Sequence, residues 1–150
     1  MGDIGPIGSA NIGSASAIFD GRGRVLLVKH TYGHLNWEIP GGVGMPGEAP
    51  SVTAQRELRE ETTLELPEGQ LSGVYYDAIH RFGPMLHFVF RFAPRDGLNP
   101  IAQLPEIGEL GWFYLNELPR PMSDFTERRI RDALGNGVAY AVIAPRVWHE

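Results

Sequence analysis

Cysteine is absent from this chain of 150 residues, which removes disulfides and thiolate chemistry. Long hydrophobic runs are absent too. The longest apolar stretch, from Val138 to Ala144, falls far short of the roughly 20 residues that a bilayer-spanning helix needs. The N-terminus has no basic residue ahead of its hydrophobic positions, so it does not read as a signal peptide. A cytoplasmic location is therefore expected, with no membrane partner. Basic runs are missing as well. Net charge is −5, so duplex nucleic acid is not an expected partner. What remains is ordinary for a globular protein: 43% hydrophobic and 21% charged residues, enough for one domain with a core.

Against that background one stretch stands out. Glu48, Glu57, Glu60 and Glu61 lie close together, the last three within Arg56-Glu57-Leu58-Arg59-Glu60-Glu61. Acids this crowded do not all ionise cheaply unless a cation shares the space. Clustered carboxylate oxygens suit a hard divalent ion such as Mg²⁺, with Mn²⁺ as the alternative. The spacing predicts a helix over residues 50–62, with Pro50 at its first position. Glu57, Glu60 and Glu61 then share one face. Ala54, Leu58 and Val52 form the neighbouring apolar stripe. The loop Gly41-Gly42-Val43-Gly44-Met45-Pro46-Gly47-Glu48 is too glycine-rich for regular structure and should wrap closely around something. It has the glycine spacing of a phosphate-binding P-loop, but Glu48 stands where that motif needs lysine.

These residues resemble the Nudix box, G-x5-E-x7-R-E-U-x-E-E-x-G-U, where U is bulky and aliphatic. Gly42, Glu48, Arg56, Glu57, Leu58, Glu60, Glu61 and Leu64 match, and Thr63 replaces the family glycine. The resemblance implies an α/β fold of the Nudix αβα-sandwich type with a mixed central sheet. It implies hydrolysis of a nucleoside diphosphate linked to another group. Its metal ligands would be Glu57, Glu60, Glu61 and the carbonyl of Gly41. Arg56 would orient a carboxylate, and Glu48 would support the site from the loop. Glu57, or a separate loop acid such as Glu106 or Glu109, would be the general base; Glu109 is favoured because it immediately precedes a strand. Threonine resists the left-handed cap that glycine supplies, so the helix is expected to end in a different turn. The lack of cysteine argues against the isomerase branch of the family.

The rest of the chain organises simply. Residues 1–14 read as a flexible segment or an edge extension, and residues 15–150 as the hydrolase domain. Ala15 to Asp20 and Arg24 to His30 read as strands around the turn Asp20-Gly21-Arg22-Gly23. Gly73 to His80 and Leu86 to Phe92 read as a hairpin whose second strand buries one face. Residues 94–108 read as a loop and Leu110 to Leu115 as a late strand. Ser123 or Asp124 caps a helix ended by Gly135, with Phe125, Ile130 and Leu134 toward the core.

Tyr75, Tyr76, His80 and Phe82, with Trp37, are the candidates to hold a nucleotide by stacking. Packing within a sheet is the competing reading for each. A nucleoside triphosphate, an ADP-ribose-type nucleotide sugar and a dinucleoside polyphosphate all remain open as substrate. So does a homodimer through a sheet edge. Two other readings stand beside the hydrolase: a Nudix-fold module that senses a nucleotide without cleaving it, and an acidic α/β domain with no metal site.

Overall fold

The computed structural model describes residue 2 and residues 5–150. Residues 1, 3 and 4 of the expected flexible segment lie outside the described residues. Ten strands and two α-helices follow in the order β1 (Asn11–Ala17), β2 (Val25–His30), β3 (Trp37–Glu38), β4 (Gly41–Val43), α1 (Pro50–Thr62), β5 (Gln70–Asp77), β6 (Met85–Arg91), β7 (Ile107–Phe113), β8 (Met122–Ser123), α2 (Asp124–Ala133), β9 (Ala139–Val142) and β10 (Trp148–His149).

A mixed sheet of order β4-β1-β6-β5-β9 forms the centre, with β1 parallel to β6 and β5 parallel to β9. An antiparallel sheet of order β3-β2-β7 adjoins it, and β8 pairs with β10. The chain passes from the first sheet to the second at Ile18 and Phe19, where Leu26 N–H donates to Ile18 O and Phe19 bridges Val25.

Two apolar clusters fall on opposite sides, because successive strand residues point to opposite faces. Ile18 and Leu26 pack with Leu58 of α1. Ala15, Ala17, Val25 and Leu27 pack with Phe125 and Ile130 of α2. The central sheet therefore lies between the two helices, as the sandwich expectation has it. Phe90 and Val89, neighbours on β6, are both buried. The alternation read along β6 thus does not mark a one-sided strand; helices cover both faces.

Helix α1 keeps the expected bounds, with Pro50 in its first turn. Its buried residues include Ala54 and Leu58, but Val52 is 48% exposed and faces away from the core. The expectation at the other end fails. Thr63 does adopt the left-handed conformation, φ 67°, and its N–H donates to Arg59 O at 2.9 Å. The hydrogen bond and the burial of Leu64 beyond it outweigh a steric cost of roughly 1–2 kcal/mol for a side chain there. Helix α2 starts as expected, with Ser123 Oγ accepting from Thr126 N–H at 3.1 Å. Phe125 and Ile130 are buried, whereas Leu134 lies past the helix and is 53% exposed. The late strand begins at Ile107, earlier than Leu110, and β1 begins at Asn11, ahead of Ala15. No helix among the described residues is long and apolar enough to cross a membrane.

Candidate active site

The acid cluster is organised by one arginine. Arg56 donates from Nε to Glu48 Oε2 at 2.8 Å and from Nη2 to Glu48 Oε1 at 3.0 Å. Its Nη1 reaches Glu57 at 2.9 Å and Glu60 at 3.2 Å, and Nη2 also reaches Val43 O at 3.1 Å. The planar guanidinium suits this fan of bonds as an ammonium would not. Glu48 is further held by Thr53 Oγ1 and by Met45 N–H. The paired Arg56, then the Thr53 hydroxyl and Met45 amide, hold its carboxyl down to about 2.

The glycine loop permits this packing. A side chain at Gly42 would place its Cβ within 2.4–2.7 Å of the Glu57 carboxylate. Strand β4 can therefore lie against α1 only with glycine at that position. Gly41 N–H donates to Glu61 Oε1 at 2.7 Å.

Glu57, Glu60 and Glu61 share a helix face but not an environment. Glu60 is about half exposed, Glu57 is mostly covered, and Glu61 is 3% exposed. Burial pushes the Glu57 carboxyl up against the pull of Arg56. Burial pushes Glu61 up much further, with the negative field of Glu57, Glu38 and Glu106 adding to it and only the Gly41 amide opposing. No described ion pair involves Glu61. Among the described residues, no three acidic or imidazole side chains converge as a ready-made cation cage, since Arg56 grips Glu57 and Glu60 while Glu61 turns toward Gly41. The donor set nonetheless fits a hard cation: all oxygen, in acid excess, with a buried carboxylate that lacks a charged partner.

Of the two loop acids, Glu106 is the one beside the cluster. Its charge acts on Glu57, Glu61 and Tyr32. The loop is tied to the helix end by Ile101 N–H on Thr62 O and Gln103 N–H on Glu61 O. Glu109, the favoured candidate, is an exposed residue of β7 paired in register with Lys29. The strand starts earlier than expected and takes in Glu109.

Next to the acids, across Gly41 and Gly42, opens a cleft of about 180 Å³ lined by His30, Tyr32, Glu38, His80, His87, Arg129 and Arg146, among others. It shares His30, Tyr32, His80 and Arg146 with an adjoining depression that ends at His34 and Trp148. Aromatic pairs form part of its lining: His30 stacks on Tyr32 at 4.6 Å and His34 on Trp148 at 3.8 Å. Arg129 Nη2 meets Glu38 Oε1 at 2.8 Å, and Arg146 Nη1 meets Asp77 Oδ2 at 3.1 Å. Burial, chiefly, pushes the Tyr32 hydroxyl up to about 12, with the charge of Glu61 next in weight.

The stacking candidates separate. Tyr75 is fully buried, with its hydroxyl on Asp132 at 2.7 Å and its ring against Phe125, so it is a core residue and lines neither cavity. Trp37 is likewise buried, edge-on to Phe113. Tyr76 is partly covered on β5 and lines neither cavity. His80 lines both cavities, and the exposed Phe82 sits beside it at 5.4 Å under Arg81. The reading from sequence missed Tyr32, Glu38, Arg129, Arg146 and Trp148, which no local motif marks.

The NUDIX domain profile matches residues 11–134. The chain belongs to the NUDIX family, and it is a pyrophosphohydrolase. It is 29% identical over 129 residues to a MutT-like protein of Streptomyces ambofaciens, covering 86% of this chain and 79% of that one. It is 30% identical over 133 residues to an ADP-ribose pyrophosphatase of Mycobacterium tuberculosis, covering 85% of this chain and 60% of that one. Among solved structures, a MutT NUDIX hydrolase from Burkholderia pseudomallei superposes with a TM-score of 0.71 at 27% identity, covering 83% of this chain and 98% of that one. Nudix hydrolases generally need divalent metal ions.

Proposed function

We propose that this protein hydrolyses the pyrophosphate bond of a nucleoside diphosphate linked to a further group, with Mg²⁺ or Mn²⁺ held by Glu57, Glu60, Glu61 and the Gly41 carbonyl. The observation that carries this reading is the excess of acid over base beside the cleft: Glu48, Glu57 and Glu60 share one arginine, and Glu61, held by the Gly41 amide, has no cationic partner among the described residues. When bound, a divalent ion supplies a Lewis acid that neutralises phosphate charge and lowers the pKa of water.

The chain's own residues do the rest. Arg56 fixes Glu48 and Glu57 against one another, so the carboxylates keep their orientation as the diphosphate arrives. Glu61 stays under the helix on the Gly41 amide. The aromatic rim, with Tyr32 and Trp148, presents flat surfaces to a base or sugar. The general base is Glu57 or Glu106, the loop acid whose charge acts on Glu57 and Glu61; Glu106 takes the place of Glu109 as the loop candidate. ADP-ribose leads the substrates to be tried, because a relative of known name acts on it.

The test is product analysis with ADP-ribose, dinucleoside polyphosphates, nucleotide sugars, and canonical and oxidised nucleoside triphosphates, each with Mg²⁺ or Mn²⁺. Turnover of one class that requires the metal, and that disappears in Glu57→Gln, is the expected result. Turnover unaffected by chelator, or tight nucleotide binding without any cleavage, would overturn it.

A further inference from the structure

The floor of the cleft carries a second carboxylate–arginine arrangement, which the hydrolysis reading leaves unused. Asp77, its side chain fully buried, accepts from Ile79 N–H at 3.2 Å and from Arg146 at 3.1 Å, and its Oδ2 lies 3.4 Å from His87 Nε2. A carboxylate flanked by an arginine and an amide is ionised and accepts only. It therefore fixes the proton of a neutral His87 on Nε2 and leaves Nδ1 bare.

That bare nitrogen is turned toward a gap. A Cβ on Gly13 would stand 3.4 Å from His87 Nδ1 and 3.0 Å from Met85 Sδ. Any other residue at position 13 would cap the nitrogen. Gly13 and His87 both line the cleft, so the missing side chain opens Nδ1 to whatever enters. His87 is otherwise packed edge-on against Phe125 at 5.1 Å and His80 at 5.8 Å, which holds the ring in place.

We infer that His87 is a specificity-determining hydrogen-bond acceptor, reading an N–H or O–H of the uncharged half of the nucleotide through Nδ1. This rests on the proposed hydrolysis of nucleotides. The charge balance of the floor points to the uncharged half. Arg129 and Arg146 each already meet one carboxylate, Glu38 and Asp77, so these pairs leave no excess positive charge to draw in a further phosphate. Burial, together with the positive charge of Arg129, holds His87 down to about 4 against the pull of Asp77; the ring is neutral at pH 7 and its Nδ1 accepts. The group read is a base amino group or a sugar hydroxyl, which share this donor chemistry.

Deleting each donor from the substrate distinguishes them. The kcat/KM of the wild type is compared for an adenine nucleotide, its hypoxanthine counterpart and its 2′-deoxy counterpart, then for His87→Leu and Gly13→Ala. One deletion is expected to lower kcat/KM about tenfold to a hundredfold in the wild type, because it strands a buried acceptor. That penalty should vanish in His87→Leu. It should also vanish in Gly13→Ala, which keeps the His87–Asp77 pair and covers Nδ1 at the cost of a small shift of Met85 Sδ. A penalty that persists undiminished in both variants, or no penalty from either deletion in the wild type, would overturn the inference. Failure of the wild type to turn over any nucleotide would instead overturn the proposed function beneath it.

Discussion

Two clusters of charge, near enough for Glu38 of one to act on Glu61 of the other, differ in their balance. Around α1, Glu48, Glu57 and Glu60 share Arg56, and Glu61 beside them has only the Gly41 amide. On the floor of the cleft, Glu38 has Arg129 and Asp77 has Arg146, one for one. The first cluster is short of positive charge, which the proposed cation would supply. The second is complete in itself, and what it offers a ligand is hydrogen bonding and aromatic surface. On the proposed function, the same chemical parts, in different ratios, would divide one substrate between a phosphate end and an uncharged end.

Breaking the acidic side should have the larger effect on catalysis. Glu57→Gln is expected to lower metal-dependent turnover by more than about 100-fold, beyond what outer contacts usually carry. Steady-state kinetics at saturating metal would show it. Arg56→Lys keeps the charge but loses the fan of bonds to Glu48, Glu57 and Glu60. It should cost about 10- to 100-fold in activity or metal affinity, read by kinetics alongside a metal titration.

Breaking the matched side should instead cost stability. Arg129→Ala strands Glu38 in a mostly buried place, at about 3–5 kcal/mol, measured by urea unfolding.

Acidity sharpens the contrast. Glu61 has a folded carboxyl raised well above its ordinary value by burial. The native state then holds more protons than the unfolded one, so stability falls as pH rises from the ordinary carboxylate range through the folded value. Metal-free protein should lose thermal stability over that span, and Glu61→Gln should flatten the decline. At the smallest end, Thr63→Gly should stabilise by about 1 kcal/mol by relieving the left-handed threonine, with turnover unchanged.

The two clusters also differ in how far they were legible in the sequence. The acidic one is local: Pro50 starts the helix, the i, i+3, i+4 spacing sets its face, and Gly42 and Glu48 precede it by a fixed count. The helix bounds followed from that, and the fold class from the family resemblance that these residues carry. The cleft is non-local. Arg146 meets Asp77 across 69 residues and Arg129 meets Glu38 across 91, and no periodicity announces a pair that the topology brings together. Tyr75 misled for a related reason: strand alternation does not say which face a second helix will cover. Glu109 misled because its strand starts at Ile107, so a residue expected in a loop belongs to the sheet. Thr63 shows the opposite error, in which a local steric rule yielded to a cap hydrogen bond and a buried neighbour.

The most direct check is a titration of the thermal unfolding midpoint with Mg²⁺, for wild type and Glu57→Gln side by side at neutral pH. The account predicts a midpoint that climbs with Mg²⁺ in the wild type, as ligand binding to the native state requires, and a much smaller climb in the variant. Equal behaviour of the two proteins would contradict a cation site built on the acids of α1.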